Sequence, residues 1–443
     1  MIRVFYGLIF LCLGSGSAQA LEFTLHKRVS GKPGPTLLVI GGIQGDEPGG
    51  FTAASFLVND YQIKSGEIWV VPNLNFNSII QGSRGIHGDM NRKFSSIVNT
   101  DPEFEAIAKI KSIIKDKQVD MVLNLHDGSG FYNEKYIDED ENPGSWGQSV
   151  VIDQSGIEGA RFGNLAEIAA TVIARVNKFA DDSKSRFFLK NTNTRKGDKD
   201  MEKTLTYFAI NNGKPAMGIE VSKNYPTHLR TLQHLRILEA VMDTMNIEYA
   251  AHFELSAQGV KDKIGRDIQL AMFDNKLLFD LDDPRSFIRF VPMEKRSELE
   301  FTTNNPLVAV IVSDAKYKVR YGNRGVTTLS PQHFHFDNSL QNAEFEIDGA
   351  TRIVQLGTIV RVNEHFSVTP IEGHRVNVIG YQNASHKNET GLVIHKEEIL
   401  PRYSVDNQAQ KFRVEFYKGE KYSGMVLVDF SAVDNKLAKN SRP

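Results

Sequence analysis

Cysteine is almost absent from this chain of 443 residues, in which Cys12 is the only one. Residues 21–443 therefore contain none, and their fold cannot depend on disulfide bonds. Leu11 precedes Cys12, whereas lipoprotein processing requires a small residue in that position, so we expect no lipid anchor. The roughly 420 remaining residues are too many for a single hydrophobic core, so we expect two or three domains.

Long apolar runs are also scarce. The run at residues 4–13 follows the positive charge of Arg3 and precedes the small-residue stretch GSGSAQA, which ends at Ala20. This order is typical of a secretory signal and its cleavage site. The run is shorter than the roughly 20 residues that a membrane-spanning helix needs. We therefore expect residues 1–20 to be a cleaved signal peptide and the mature protein to be periplasmic, without a membrane anchor.

An excess of charge of one sign is missing as well. The 52 Lys and Arg residues against 54 Asp and Glu residues give a formal net charge of −2. Nucleic acids and anionic membranes are attracted by strongly basic surfaces. We therefore expect neither of them as a partner.

Helical patterns are confined to the first part of the chain. Up to about residue 250, strand-like runs such as TLLVIGG alternate with helical patterns such as PEFEAIAKIKSIIKDK. This alternation predicts an α/β domain with a mixed central sheet at residues 21–250. Short apolar runs broken by Gly, Asn and Asp then predict two small all-β domains, each a barrel or a sandwich, at 251–345 and 346–443.

The segment LLVIGGIQGDEPGG joins a buried strand to a Gly-rich turn. The turn presents Gln44 and Glu47 at a strand end, where open α/β folds place their ligands. Asp46 or Glu47 could instead cap the helix that follows, since acids favour the first turn. From this segment alone, Glu47 is either part of a ligand site or a helix cap.

A third polar residue, His126, ends the apolar strand MVLNLHDG. A lone histidine in such a strand is usually a core residue with satisfied nitrogens. Together with Gln44 and Glu47, however, it makes three ligands, the number that a catalytic zinc ion takes from the protein while one position stays open. The three side chains therefore indicate a metal site.

Two further segments carry groups suited to a peptide substrate. GSRGIHGDMNRKF contains Arg84 and the pair Asn91 and Arg92, and a guanidinium beside an amide suits a carboxylate. Glu220 lies in the apolar strand GIEVS, where an acid is costly unless it has a partner or a role. At a metal site, a glutamate can take a proton from attacking water and return it to a leaving amine.

In chain order, the pattern QxxE, Arg, Asn-Arg, His and Glu resembles that of the carboxypeptidase A-like zinc metallopeptidases, which have HxxE in the first place. The resemblance covers roughly residues 35–250. With the Gln and the β domains that follow, the chain is similar to the cell-shape-determining peptidoglycan DL-carboxypeptidases of curved and helical Gram-negative bacteria. This similarity implies an enzyme that trims the tripeptide stem of a muropeptide to a dipeptide and releases meso-diaminopimelate.

The resemblance also implies roles for single residues. One zinc ion would be bound by Gln44, Glu47 and His126, with Glu220 as the general base. An amide oxygen is a poorer zinc donor than an imidazole, so we expect Gln44 to weaken metal retention. Because Gln and neutral His carry the same charge, we expect the site to remain active.

Substrate contacts are implied in the same way. Arg84 would stabilise the oxyanion as well as bind a carboxylate of the terminal diaminopimelate. The tyrosine usual in the family has no clear counterpart, because Tyr207 is too close to Glu220 in the chain. The residues expected to contact the substrate are Arg84, Asn91, Arg92, Trp146 and Thr206.

Other functions share part of this pattern. An aspartoacylase-like metallo-deacylase would have the same metal fold, although the signal peptide and the β domains argue against it. A non-enzymatic wall-binding protein would use the β domains alone, and these domains could also bind other wall-modifying proteins. We expect His333, His335 and Asp337 to be exposed polar positions of a strand, and His87 to be a loop residue.

Overall fold

A computed structural model of the chain describes residues 6–9, 21–294, 299–382 and 388–431. The segment expected to be a signal peptide lies outside these residues except for strand β1 (Tyr6–Ile9), and its cleavage stays a prediction. Within the described part of the chain, no helix is both long enough and apolar enough to cross a membrane.

The molecule divides into two compact units. The first, called the α/β unit below, consists of residues 20–264 and 321–324. The second, called the β unit, consists of the described residues within 1–19, 265–320 and 325–443.

Strands and helices alternate along the α/β unit. Its strands are β2 (His26–Val29), β3 (Thr36–Ile40), β4 (Tyr61–Ile63), β5 (Glu67–Val71), β6 (Met121–Gly128), β7 (Phe131–Tyr132), β8 (Glu141–Asn142), β9 (Ser149–Ile152), β10 (Phe188–Asn191), β11 (Ala216–Ser222) and β12 (Tyr249–Ala251). Its α-helices are α1 (Pro48–Asn59), α2 (Phe76–Gln81), α3 (Phe104–Ile114), α4 (Leu165–Val176), α5 (Leu205–Asn211), α6 (Thr227–Thr244) and α7 (Ala257–Lys263).

Seven of these strands form one sheet in the order β10-β9-β11-β6-β3-β5-β2. Strand β3 is parallel to β5 and β6, and β6 is parallel to β11. Strand β9 runs antiparallel to β11, and β2 runs antiparallel to β5. The prediction of an α/β fold with a mixed central sheet is therefore confirmed.

The centre of this sheet is inaccessible to solvent. Every residue of β3 and β6 is buried, which explains why their sequences are nearly continuous apolar runs. Helix α3 buries Ile107, Ile110 and Ile114, which recur at helical spacing. Polar side chains at the ends of these strands are therefore held by a rigid framework.

The β unit has no helical layer among its described residues. After β1, its strands are β13 (Gln269–Met272), β14 (Leu277–Asp280), β15 (Phe287–Glu294), β16 (Glu300–Thr303), β17 (Val308–Ser313), β18 (Lys316–Tyr321), β19 (Arg324–Phe334), β20 (Asn342–Ile347), β21 (Ala350–Gln355), β22 (Ile359–Arg361), β23 (His365–Val368), β24 (Arg375–Val378), β25 (Ile394–His395), β26 (Lys411–Lys418) and β27 (Lys421–Asp429).

These strands form four sheets of four strands each, β1-β16-β13-β14, β15-β19-β18-β17, β21-β20-β23-β25 and β22-β27-β26-β24. The last two share one hydrophobic core that contains Phe345, Phe366, Phe412 and Phe416, as the two layers of a sandwich do. The all-β character predicted for this half of the chain is confirmed. Residue 345 lies inside β20, and the limits assigned to the separate domains stay predictions.

Candidate metal and catalytic site

Three neighbouring parallel strands bring the candidate site residues to one edge of the sheet. Gln44 and Glu47 follow β3, and His126 lies near the end of β6. Glu220 of β11 is the register partner of His126. Because the carboxyl ends of parallel strands meet at the same edge, residues far apart in the chain become neighbours here.

The three proposed metal ligands converge. The Nδ1 atom of His126 lies 3.0 Å from Oε1 of Gln44 and 3.0 Å from Oε2 of Glu47. Two ligands of a tetrahedral zinc ion, each at about 2.1 Å, are roughly 3.4 Å apart. All three side chains are buried. Both the chemistry and the spacing of these donors therefore fit a divalent metal ion.

Glu47 is not a helix cap. It occupies the position before α1, but its side chain makes no capping hydrogen bond. Its Oε2 instead accepts a hydrogen bond from the backbone N–H of Asp127, at 3.1 Å. Its Oε1 faces two cations, Nη1 of Arg84 at 3.5 Å and Nζ of Lys223 at 3.3 Å. Side-chain capping is therefore wrong for Glu47, and both oxygens of Glu47 face the site.

Asp89 orients Gln44. The amide nitrogen of Gln44 donates to both carboxylate oxygens of Asp89, at 2.9 and 3.0 Å, which turns the amide oxygen toward His126. Burial would raise the pKa of Asp89, but the hydrogen bond from Gln44 and the charge of Arg84 bring it below its usual value. Asp89 is thus an anion at neutral pH. It was missed in the sequence because no motif distinguishes it from other loop acids.

Several groups fix the ring of His126. Its Nε2 lies 2.7 Å from Nδ2 of Asn124 and 3.4 Å from Nδ2 of Asn91. Burial lowers the pKa of His126, but the hydrogen bond to Glu47 and the charge of Glu220 raise it overall. The ring is therefore held on both sides and does not pack as an ordinary core side chain.

A buried network behind the site begins at Asp127. Its carboxylate accepts from the backbone N–H of Gly49 at 2.9 Å and from Nη1 of Arg230 at 2.8 Å, and it lies 3.1 Å from Nε2 of His234. A Cβ atom at residue 49 would lie 2.5 Å from Oδ1 of Asp127, so only glycine fits there. The network ties α1 and α6 to the strand that carries His126.

Glu220 has the environment of a proton-transfer group. Burial raises its pKa to about 7, and the carboxylates of Glu47 and Asp127 act in the same direction, while His126 opposes them. Gly128 makes room for it, since a Cβ atom there would lie 2.8 Å from Oε2 of Glu220. A carboxylate with a pKa near neutrality can both accept and return a proton.

The Arg and Asn residues of the expected carboxylate clamp lie beside the metal ligands. Arg84 is half-exposed and donates to Asp89 through Nε and Nη2, at 3.1 and 3.0 Å. Asn91 is fixed by the backbone N–H of Leu205, which donates to its Oδ1 at 3.0 Å. Arg92 donates to the carbonyl of Asn91 at 3.2 Å. Their binding to a substrate carboxylate stays a prediction.

Trp146 lies in a group of aromatic rings around a lysine that the sequence did not indicate. The ammonium of Lys190 is 4.3 Å from the ring centres of both Trp146 and Tyr132. Burial lowers the pKa of Lys190, and the negative charge of Glu220 partly offsets this effect. Trp146 is therefore on the Glu220 side of the site.

Thr206 is buried and engaged in hydrogen bonds. Its hydroxyl lies 3.2 Å from that of Thr204 and also bonds to the carboxylate of Asp153. Burial raises the pKa of Asp153, against the effect of its hydrogen bonds from Thr194 and Thr206. Asp153 is a further residue that no sequence motif indicated.

The remaining polar residues considered in the sequence lie elsewhere. His333 and His335 are exposed as expected, whereas Asp337 is partly buried and its carboxylate accepts from the hydroxyl of Ser339. His87 is an exposed loop residue. Within the described residues, no three His, Cys, Asp or Glu side chains are grouped so that they could hold a metal ion. The site described above differs in composition, because its third proposed donor is the amide of Gln44.

The sequence matches two family models. One, described as a carboxypeptidase controlling helical cell shape, catalytic, matches residues 15–265. The other, described as the C-terminal domain of metallo-carboxypeptidase, matches residues 336–431. No match was found among curated proteins.

Solved structures of the cell shape determinant protein Csd4 from Helicobacter pylori are similar to most of the chain. The apo form is 34% identical to this chain, with a TM-score of 0.85, and the match covers 93% of this chain and 100% of the Csd4 chain. The mDAP-bound form, described as a D,L-carboxypeptidase, is 34% identical over 92% of this chain and 100% of its own, with a TM-score of 0.85. A tripeptide-bound form is 34% identical over 93% and 100%, with a TM-score of 0.84.

Proposed function

Because the chain belongs to the family of carboxypeptidases controlling helical cell shape, we propose that it is a zinc-dependent D,L-carboxypeptidase of peptidoglycan. Its reaction removes meso-diaminopimelate from the carboxyl end of the muropeptide tripeptide and leaves a dipeptide. The ligands of the Helicobacter pylori relative, mDAP and a tripeptide, support this substrate class. The signal-like N-terminus and a cell-wall substrate both support a periplasmic location.

The observation that carries the proposal is the convergence of Gln44, Glu47 and His126 next to Glu220. We assign one zinc ion to Oε1 of Gln44, the carboxylate of Glu47 and Nδ1 of His126. Glu47 is the only one of the three that is charged, so the donor set has the same net charge as one with a neutral His in the first place. When bound, zinc lowers the pKa of coordinated water and polarises the scissile carbonyl.

Glu220 acts as the general base and then as the general acid. Its carboxylate takes the proton of the attacking water. The same group then delivers that proton to the leaving amine of diaminopimelate. The absence of a side chain at Gly128 leaves room for Oε2 of this carboxylate.

Positive charges beside the ligands bind the anionic parts of the substrate. Arg84 and Lys223 both face Oε1 of Glu47, beside the proposed metal ligands. Cations near a reacting carbonyl stabilise the negative charge that develops on its oxygen during attack. Asn91 and Arg92 supply an amide and a guanidinium for the terminal carboxylate. A free terminal carboxylate is what distinguishes a carboxypeptidase substrate from an internal peptide bond.

The test uses the zinc-loaded mature protein and two tripeptides, one with a free and one with an amidated terminal carboxylate. We expect release of diaminopimelate from the free acid and little from the amide, followed by mass spectrometry. Removal of zinc with a chelator is expected to stop the release, and added zinc to restore it. Absence of release from the free acid by fully zinc-loaded protein would reject the proposal.

A further inference from the structure

The buried amide of Asn124 contacts the ring of His126 on the side away from the other proposed metal ligands. Asn124 lies in β6, is completely buried, and places its Nδ2 atom 2.7 Å from Nε2 of His126. Its Oδ1 atom is buried and has no hydrogen-bond partner. The amide nitrogen of Asn124 therefore contacts the ring, and its amide oxygen is available to accept a hydrogen bond.

Metal binding determines whether Nε2 of His126 donates or accepts a hydrogen bond in this contact. A neutral imidazole carries one N–H and one free lone pair. The lone pair must be on Nδ1 for that atom to bind a metal ion together with Gln44 and Glu47, so the proton is then on Nε2 and must be donated. An amide nitrogen cannot accept it.

Asn91 does not provide the required acceptor. Its Oδ1 is already bonded to the backbone N–H of Leu205, which leaves its amide nitrogen facing Nε2 of His126. The Oδ1 atom of Asn124 has no such competing bond. Rotation of the Asn124 amide by half a turn exchanges its oxygen and nitrogen and places the oxygen at hydrogen-bond distance from Nε2.

We propose that Asn124 is a positioning residue, whose Oδ1 accepts the Nε2–H of His126 and so holds the ring in the form that binds metal through Nδ1. This inference rests on the ligand set of the proposed function. It also explains an asparagine inside the apolar strand MVLNLHDG. A buried amide oxygen without a partner destabilises a fold, so a leucine would serve better if packing were its only role.

The proposal is tested with zinc alone, by competition with a chromophoric chelator on the mature chain. Asn124→Ala and the bulkier Asn124→Leu both remove the acceptor and should lower zinc affinity roughly 10–100-fold. Asn124→Asp keeps an acceptor and should bind zinc at least as tightly as the wild type. If Asn124 served packing alone, Asn124→Asp should be the most harmful of the three variants, because it buries a charge.

A matched control is Thr231→Val. Thr231 is a buried polar residue of α6, whose hydroxyl donates within its own helix to the carbonyl of Thr227, at 2.9 Å. Its replacement should leave zinc affinity unchanged. Circular dichroism confirms folding of each variant, and if Asn124→Ala does not fold, the Leu and Asp variants still decide the question.

The outcomes separate this inference from the proposed function. Wild-type zinc affinity in the folded Ala or Leu variant, or equal losses in the Asp and Ala variants, would overturn the role of Asn124 while leaving the zinc site intact. A wild-type protein that binds no zinc would overturn both proposals.

Discussion

Each unit of the molecule contains a buried glutamate, but the charged groups around the two glutamates differ. In the β unit, Glu415 is paired with Arg413 at 3.0 Å, and their side chains are 2% and 1% exposed. The phenol of Tyr417 donates to the other oxygen of Glu415 at 2.6 Å. In the α/β unit, the buried carboxylate of Glu220 is close enough to His126 and to the carboxylates of Glu47 and Asp127 for their charges to act on it.

This difference separates a structural charge from a reactive one. Burial raises the pKa of both Glu220 and Glu415, so a raised pKa does not by itself identify a catalytic group. The charge of Arg413 and the hydrogen bond from Tyr417 hold Glu415 in place and oppose the shift. In Glu220, His126 opposes the shift, but the neighbouring carboxylates of Glu47 and Asp127 reinforce it. An acid fixed beside a cation has a structural role, whereas an acid among like charges near a metal site is suited to moving a proton.

The largest effect is expected from Glu220→Gln. Loss of the general base should lower kcat for diaminopimelate release by about 10²–10⁴-fold, while zinc stays bound because the ligands are untouched. Glu415→Gln is the matched control and should leave kcat unchanged. Turnover is followed by mass spectrometry and zinc by metal analysis. Equal activity of Glu220→Gln and the wild type would contradict the role of Glu220 as the general base.

Removal of one partner from the structural pair should mainly affect stability. Arg413 also donates to the carbonyls of Arg289 and Phe290, at 2.9 and 3.1 Å. Arg413→Ala leaves Glu415 buried and unpaired, which should destabilise the β unit by about 3–5 kcal/mol. Replacing both residues, Arg413→Met with Glu415→Leu, should be less harmful. Denaturant unfolding measures the change, and a single variant as stable as the double one would contradict the pairing.

Positions that follow buried strands could be predicted from the sequence. Gln44, Glu47, His126 and Glu220 each end or adjoin an apolar run, and parallel strands place such ends together. The alternation of strands and helices similarly indicated the α/β fold. The reversed direction of β9 was not predictable, because it depends on pairing between distant segments.

Residues that act on the ligands through side-chain contacts could not be predicted. Asp89, Asn124 and Lys223 reach their partners across loops or from within a strand, and their roles depend on side-chain orientation. No spacing in the chain encodes such contacts. The helix-cap alternative for Glu47 was likewise decided only by the direction of its carboxylate.

A smaller effect concerns the pH dependence of stability in the zinc-free protein. The folded-state pKa of Glu220, about 7, is above its ordinary value of 4.5. Between these pH values the folded protein holds a proton that the unfolded chain has released, so stability falls as the pH rises. Glu220→Gln should flatten this decline. Urea unfolding at both ends of the window measures it, and parallel curves for variant and wild type would show that Glu220 is not the titrating group.

The smallest change is expected from Gln44→His. An imidazole is a better zinc donor than an amide oxygen, and its second nitrogen could donate to Asp89 as the amide of Gln44 does. Zinc affinity should therefore be kept or increased, with the unfolding free energy of the β unit unchanged. Chelator competition measures the affinity, with Gln44→Ala as the variant expected to weaken it. Complete loss of zinc in Gln44→His would contradict the ligand role, because a residue with the same charge and a stronger donor atom should preserve a true ligand position.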